Sequence, residues 1–301
     1  MLEIQLVNKA RVLVFGGSGQ VGGYLSDLIS KSDRFELAND RSERFELSRP
    51  EMIDEAVRAS RPDWVVNAAA YTAVDKAESD QDQCFLVNAH APGQMALACR
   101  EIGARFIHYS TDYVFSGLAS VPYKEGDATD PFSVYGKSKL AGEQAVLGSL
   151  PEALVLRTAW VYARTGKNFV NTMLRLAKSG GPINVVSDQV GCPTFAWDLA
   201  RVTLDLMDQI FSEKTAHQGG VFHTTGQGQT NWYDFCRQIM FEAGFTQVQV
   251  NAITTDEYPT PAPRPRYSVL DNAKLQQVYG LSLPDWRQAL SSLWQADNKN
   301  G

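Results

Sequence analysis

The stretch RVLVFGGSGQVGGYLSDLIS, residues 11–30, decides the fold. Arg11–Phe15 is short, apolar and β-branched, and it ends in glycine, as a strand buried in a parallel sheet does. Gln20–Ser30 follows with Val21, Leu25, Leu28 and Ile29 on one helical face. Between them Gly16, Gly17, Ser18, Gly19, Gln20, Val21 and Gly22 set glycines at G-x-x-G-x-x-G spacing. Glycines permit a tight turn and let backbone N–H groups meet a pyrophosphate at a helix N-terminus, where the dipole favours negative charge.

Further along, strand and helix patterns alternate. Strands are expected at 35–38, 64–66, 106–109 and 153–157, and helices at 50–60, 133–147 and one long run over 80–102. This order predicts an α/β fold, a Rossmann-like doubly wound parallel sheet. The second half is less regular. Helices are expected at 168–178, 195–211, from 231 to 242, 273–278 and 286–294, strands at 183–186 and 222–224, and an extended proline-rich loop at 259–265. Residues 1–160, completed by about 183–225, are expected to form the dinucleotide-binding domain. Residues 161–182 and 226–301 are expected to form a smaller mixed α/β substrate-binding lobe.

Composition narrows the class. With 34 acidic and 28 basic residues among 301, the net charge is −6. No Lys/Arg run suggests nucleic acid. A hydrophobic fraction of 44% supplies a sizeable core. No stretch reaches the roughly 20 apolar residues of a membrane helix, and the charged N-terminus is not a signal peptide. A cytoplasmic protein, monomer or homodimer, is expected. Cys84, Cys99, Cys192 and Cys236 are far apart, and the four histidines do not cluster with them. Neither a disulfide framework nor a metal site is expected.

Three features carry chemistry. Asp40 follows the second strand, where a carboxylate accepts hydrogen bonds from an adenosine ribose and suits NAD. Arg41 beside it suits the extra phosphate of NADP, so the pair leaves the choice open. Tyr135 and Lys139 form Y-x-x-x-K on one helical face. A close ammonium would lower the phenol pKa and make Tyr135 an acid–base group near neutrality. Thr111 lies 24 residues before Tyr135 at the carboxyl end of a strand. There its hydroxyl can donate to a carbonyl oxygen that gains charge, with Asp112 adjoining the same substrate. Arg264, in the proline-rich loop, offers a guanidinium to a diphosphate. His108 and Cys192 read as buried core residues, and Lys137 as solvated.

GGSGQVG, VNAAAYTAVDKAESD, HYSTDYVF, YGKSKLAGE, RTAWVYA, DQVGCPT and TPAPRPRYSVL together resemble the dTDP-4-dehydrorhamnose reductases. That family belongs to the extended short-chain dehydrogenase/reductase superfamily. The resemblance implies reduction of the C4 ketone of dTDP-4-dehydro-6-deoxy-L-mannose (dTDP-4-dehydro-L-rhamnose) to dTDP-L-rhamnose, with NADPH or NADH. It implies Thr111, Tyr135 and Lys139 as the catalytic set, and Gly16 to Val21 as the pyrophosphate cradle. It implies Asp40, Glu46 and Leu47 at the adenosine, Ala68, Ala69 and Ala70 beneath the cofactor, and Trp160 at the sugar nucleotide. Some members carry acidic residues that join a magnesium-bridged dimer. Tyr24 and Trp197 stand at those positions here, which argues against that bridge.

Two other readings compete. A dehydratase or epimerase of the superfamily would carry Thr-Asp-Glu, whereas this chain has Thr111-Asp112-Tyr113. A non-catalytic regulatory subunit like that of methionine adenosyltransferase would diverge after the alanine strand, where AYTAVDKAESD (70–80) keeps the reductase form.

Overall fold

The computed structural model describes residues 9–40, 43 and 45–295. Five strands, β1 (Ala10–Phe15), β2 (Phe35–Leu37), β3 (Trp64–Asn67), β4 (Arg105–Thr111) and β5 (Leu154–Thr158), join the strand Gly220–His223 in one parallel sheet. From one edge its order is Gly220–His223, β5, β4, β3, β1, β2. The chain therefore leaves β1 in one direction for β2 and returns across it to β3. The crevice for a ligand opens at that reversal, beyond the strand ends.

The apolar run of β1 is continuous because both faces are covered. Val12 and Val14 pack with Leu25 and Ile29 of α1 (Gln20–Ser30) and with the helix Ala196–Phe211. Leu13 and Phe15 pack on the other face with Ile53 and Val57 of α2 (Pro50–Ser60), Met95 and Val146. A third core, around Tyr162, Phe195, Phe235 and Trp286, fills the second half. There the strands Ile183–Val186 and Val250–Ile253 pair in parallel, apart from the central sheet.

The single helix expected over 80–102 is broken. After α3 (Val74–Ala77), α4 (Gln81–Phe85) gives way to a π-turn at Leu86–His90 before α5 (Ala91–Ile102). Pro92 in the first turn of α5 has no N–H to return to the carbonyl four residues back, at Asn88. α6 (Val134–Ser149) packs into the break at Gly142, where an added Cβ would stand 2.1 Å from the Asn88 oxygen. Asn88 uses its freed position to clip the chain after β3. Its Oδ1 accepts from Tyr71 N–H at 2.8 Å, and its Nδ2 donates to the Tyr71 carbonyl at 3.0 Å.

Gly142→Ala should therefore cost about 1–3 kcal/mol by overpacking, read as a lowered urea midpoint. An unchanged midpoint would show that the helix contact yields.

Candidate active site

The glycine turn lies at the sheet reversal. Gly16 has φ +81°, and a Cβ there would meet Ala69 N at 2.7 Å and Ala68 C at 2.8 Å. Gly22 is held as closely from the other side, with a Cβ 2.2 Å from the Gly16 oxygen. Gly19 N–H donates to the Gly16 carbonyl at 2.9 Å, closing the turn. Gly19 is also the N-cap of α1 and brings no side-chain acceptor to the first-turn N–H groups. A diphosphate fits such a cradle, having the acceptors that the cap lacks. Gly17 is buried, Ser18 is exposed, and Val21 packs on the core. Gln20 does something the motif does not announce: its Oε1 accepts from Asn168 Nδ2 at 2.8 Å, tying the turn to the second half.

Around the adenosine end, Asp40 is exposed just after β2, and its carbonyl accepts from Glu43 N–H at 3.0 Å. Arg41 lies outside the described residues. Glu46 is exposed and accepts from the Ser48 hydroxyl at 2.6 Å. Leu47 packs on the core beside Phe45, whose ring leans on Phe15 at 4.6 Å. Ala68, Ala69 and Ala70 are half-buried. Ala68 N–H donates to the Phe15 carbonyl, and Ala69 N–H to Asn67 Oδ1. Small side chains here leave the floor of the crevice open.

β4 ends in Ser110, Thr111 and Asp112, and α6 begins at Val134 under a Ser133 cap whose Oγ accepts from Gly136 N–H. Glu78 Oε1 accepts from Val134 N–H at 2.9 Å, fixing the same helix start. The Tyr135 ring thus packs edge-on against Tyr113, two residues past Thr111, with centroids 5.6 Å apart. Lys139 is on the same helix but engages the sheet. Its ammonium donates to the Tyr109 carbonyl at 2.7 Å and lies 3.4 Å from His108 Nε2. His108 in turn faces Asn67 Nδ2 at 3.1 Å, and burial holds its pKa well below the usual imidazole value.

This corrects one expectation. The Tyr135 pKa is raised, not lowered, because desolvation penalises the phenolate and the opposing effect of Thr111 is smaller. Lys139 does not act on it, having turned to the backbone of β4. Burial lowers the Lys139 pKa to about 8, although Glu143 pulls it back up. Asp112 is buried as well, and burial raises its pKa to about 6; its Oδ1 accepts from the Thr111 hydroxyl at 3.1 Å, while its Oδ2 finds no partner among the described residues. Its carboxyl sits behind Thr111.

Behind these groups lies a fully buried ion pair. Arg157 donates through Nε and Nη2 to Glu143 at 2.9 and 2.7 Å, and Ser110 Oγ also donates to Glu143. Paired in this bidentate way, the two charges lock β4, β5 and α6 together.

Beside the strand ends opens a cleft of about 540 Å³, lined among others by Tyr113, Phe169, Gln189, Trp232, Tyr258, Asp75 and Arg264. Arg264 is committed: Nη2 donates to Asp75 Oδ2 at 2.9 Å, while Asp75 Oδ1 accepts from Ala262 N–H. Trp160 has φ +47°, rare for a large side chain, and its ring stacks on Trp232 at 3.4 Å and 7°. Gly191 makes the room, since a Cβ there would touch the Trp160 ring. Trp232 thus carries the aromatic wall into the cleft. Trp232 and Asp75 were not singled out from sequence, for neither stands in a spacing that marks a ligand. Tyr24 packs edge-on against Phe195, and Trp197 lies beside Arg201 on the surface. Among the described residues no group of three or more His, Cys, Asp or Glu could hold a metal ion.

Such a sheet, with a glycine turn at its reversal, places the protein among the dinucleotide-binding α/β proteins. Comparison with known proteins narrows this. The family model described as "RmlD substrate binding domain" matches residues 10–298. The dTDP-4-dehydrorhamnose reductase of Burkholderia thailandensis is 43% identical over 290 residues, covering 93% of this chain and 96% of that protein. That of Escherichia coli K12 is 42% identical over 283 residues, covering 92% and 94%. A solved dTDP-4-dehydrorhamnose reductase of Clostridium acetobutylicum superposes with a TM-score of 0.87 at 36% identity, covering 97% of this chain and all of that one. That of Bacillus anthracis, in complex with NADP, gives 0.87 at 31%, covering 95% and 99%. The chain belongs to the dTDP-4-dehydrorhamnose reductase family.

The depressed Lys139 pKa has a stability consequence. The buried ammonium costs folding energy in full below about pH 8. The cost fades as pH approaches the unfolded lysine value near 10.4, where both states lose the proton. Between pH 8 and 10.5, the wild type should gain about 3 kcal/mol relative to Lys139→Met, measured by urea unfolding at each pH. Parallel pH curves for the two would contradict the burial of a charged amine.

Proposed function

We propose that the protein reduces the C4 ketone of dTDP-4-dehydro-L-rhamnose to dTDP-L-rhamnose, using NADPH, with NADH as a usable second cofactor. The packing of the Tyr135 ring edge-on against Tyr113, just past Thr111 at the end of β4 and at the edge where a parallel sheet receives its ligands, is the observation that carries the chemistry. The family supports the substrate, and the relative bound to NADP supports the cofactor.

The turn from Gly16 to Val21 would hold the diphosphate of the cofactor. Asp40, Glu46 and Leu47 would surround its adenosine, with Arg41 facing any 2′-phosphate, and Ala68 to Ala70 would lie under it. Held there, the reduced cofactor would supply a hydride for C4 of the sugar. Tyr135 gives its proton to the C4 oxygen as charge develops there. Thr111 would orient and polarise the ketone. Lys139, buried at the end of β4, would hold the nicotinamide ribose with its ammonium. On the substrate side, Trp160 and Trp232 would offer an aromatic face to the sugar nucleotide. Arg264 would meet its diphosphate, an anion that competes with Asp75 for the guanidinium.

The proposed division is a dinucleotide unit of residues 1–160, completed by about 183–225, and a substrate lobe of 161–182 and 226–301. The proposed setting is cytoplasmic, as monomer or homodimer, with no nucleic-acid or membrane partner. The net charge of −6 supports the first exclusion, and no helix among the described residues is long and apolar enough to cross a membrane.

Purified protein mixed with dTDP-4-dehydro-L-rhamnose should oxidise NADPH, and NADH more slowly, followed at the nicotinamide absorbance. Oxidation of neither would refute the reading. Tyr135→Phe should lower kcat by about 10²–10⁴-fold with NADPH affinity nearly unchanged by calorimetry. A fully active variant would remove Tyr135 from the proton-donor role.

A further inference from the structure

His108 lies in the middle of a buried hydrogen-bond chain whose donors and acceptors have one consistent order. Ala69 N–H donates to Asn67 Oδ1 at 3.1 Å, which fixes the Asn67 amide with its oxygen toward the alanines. Asn67 Nδ2 then faces His108 Nδ1 at 3.1 Å. An amide N–H can meet that nitrogen only as a lone pair, so the single proton of the neutral imidazole sits on Nε2. Nε2 faces Lys139 Nζ at 3.4 Å, and Nζ already donates to the Tyr109 carbonyl at 2.7 Å. The imidazole therefore presents an N–H to Lys139. A neutral amine has one lone pair to receive it, whereas an ammonium has none. An ammonium is matched only by the other tautomer, and for that Asn67 must turn its amide over and set its NH₂ against Ala69 N–H.

We propose that His108 is a positioning residue that presents Nε2–H to Lys139 and keeps its basicity low until the cofactor is bound. The cofactor half of this rests on the reduction set out above. In the free protein the lone pair of Nζ accepts from Nε2–H. A dinucleotide brings phosphate charge and ribose hydroxyls to the strand ends, and both favour the ammonium. Nζ then takes one proton from solvent, forming a third N–H bond, and its donors serve the Tyr109 carbonyl and ribose oxygens. No electron moves, and His108 keeps its own proton throughout. The positive charge at the nicotinamide end thus arises with its ligand rather than ahead of it.

The surroundings favour this use. Asn67, His108 and Lys139 are all buried, so water does not take over their contacts. Asn67 and His108 are register partners on β3 and β4, so the sheet itself holds the amide against the imidazole. The titratable groups facing Lys139 are Glu143 on its own helix, Cys84 on α4 and His108 on β4. Glu143 is already held by Arg157 and Ser110. Cys84 is a neutral thiol, its pKa raised by burial. Among the described residues, His108 is the one of the three hydrogen-bonded to Nζ. Burial also keeps a second proton off the imidazole, since it holds the His108 pKa well below the usual value. The lowering of Lys139 to about 8, caused first by burial, runs in the direction that the order of donors requires.

The tautomer is read directly in the wild type without cofactor, so this measurement depends on no variant's folding. Nitrogen-15 NMR of the imidazole should show His108 with its proton on Nε2 and a bare Nδ1 from about pH 6 to about pH 10. A proton on Nδ1 overturns the proposal. Carbon-13 NMR of the lysine side chains, with the Lys139 signal assigned by its loss in Lys139→Met, should show an ionisation at about 8. In His108→Gln the amide oxygen can accept from an ammonium, so that ionisation should rise by about one unit or more. An unchanged ionisation means that burial alone sets it, and the proposal falls. Calorimetry of NADPH binding at about pH 8.5, in two buffers of different ionisation enthalpy, should show the wild type taking up most of one proton. His108→Gln, already charged at Lys139, should take up much less. Equal uptake by the two proteins, or none by the wild type, also overturns the proposal. If NADPH does not bind at all, the proposed reaction fails instead, and the tautomer and the Lys139 ionisation still decide the role of His108.

Discussion

The approach of Gly16 to the backbone of Ala68 and Ala69 governs the rest of the molecule. A parallel sheet whose connections pass first to one side of β1 and then to the other leaves a crevice between β1 and β3, and the crevice is useful only if the two strand ends stay close. Gly16 leaves no room for a Cβ against Ala69, and Gly22 none against Gly16. Sterics and the bonds of Gly19 N–H to Gly16 and Ala68 N–H to Phe15 together set the spacing of sheet, turn and helix. The alanines after β3 extend the same restriction, keeping a flat floor where larger side chains would fill the space.

The segment 71–80 transmits that geometry outward. Tyr71 is clipped by Asn88 in the π-turn, Glu78 fixes the first turn of the helix bearing Tyr135, and Asp75 grips the 262–264 loop. One short stretch thus bears on the cofactor floor, the acid–base tyrosine and the substrate wall. Few of these bonds is strong alone, since an exposed ion pair contributes only about 0–1 kcal/mol. Their weight lies in fixing orientation among three elements.

What could be read from the chain was local. The glycine turn, the strand that precedes it, the Y-x-x-x-K pair and the strand-end threonine each lie within a few residues, and local spacing determines their geometry. β1 was legible because both its faces are buried, leaving an unbroken apolar run. The break at Leu86–His90 was not, because it depends on Gly142 of a later helix entering the gap. The direction of Lys139 was hidden for a similar reason: helix periodicity places it beside Tyr135, but the Tyr109 carbonyl on a neighbouring strand claims its ammonium. Asp75 with Arg264, and Trp160 with Trp232, are pairings across long stretches of chain, to which no spacing rule applies.

The Asp75–Arg264 contact joins residues 189 apart in the chain. Contacts of such separation form late, since chain entropy must be lost before they return any energy. The crevice between β1 and β3 needs the chain only as far as the helix Ala196–Phe211 that covers β1, whereas the substrate wall needs residues that leave the ribosome near the end of synthesis. A nascent chain therefore meets its order of assembly in the order of its ligands: a dinucleotide site first, and the sugar-nucleotide site only when the last fifth of the polypeptide has closed over it.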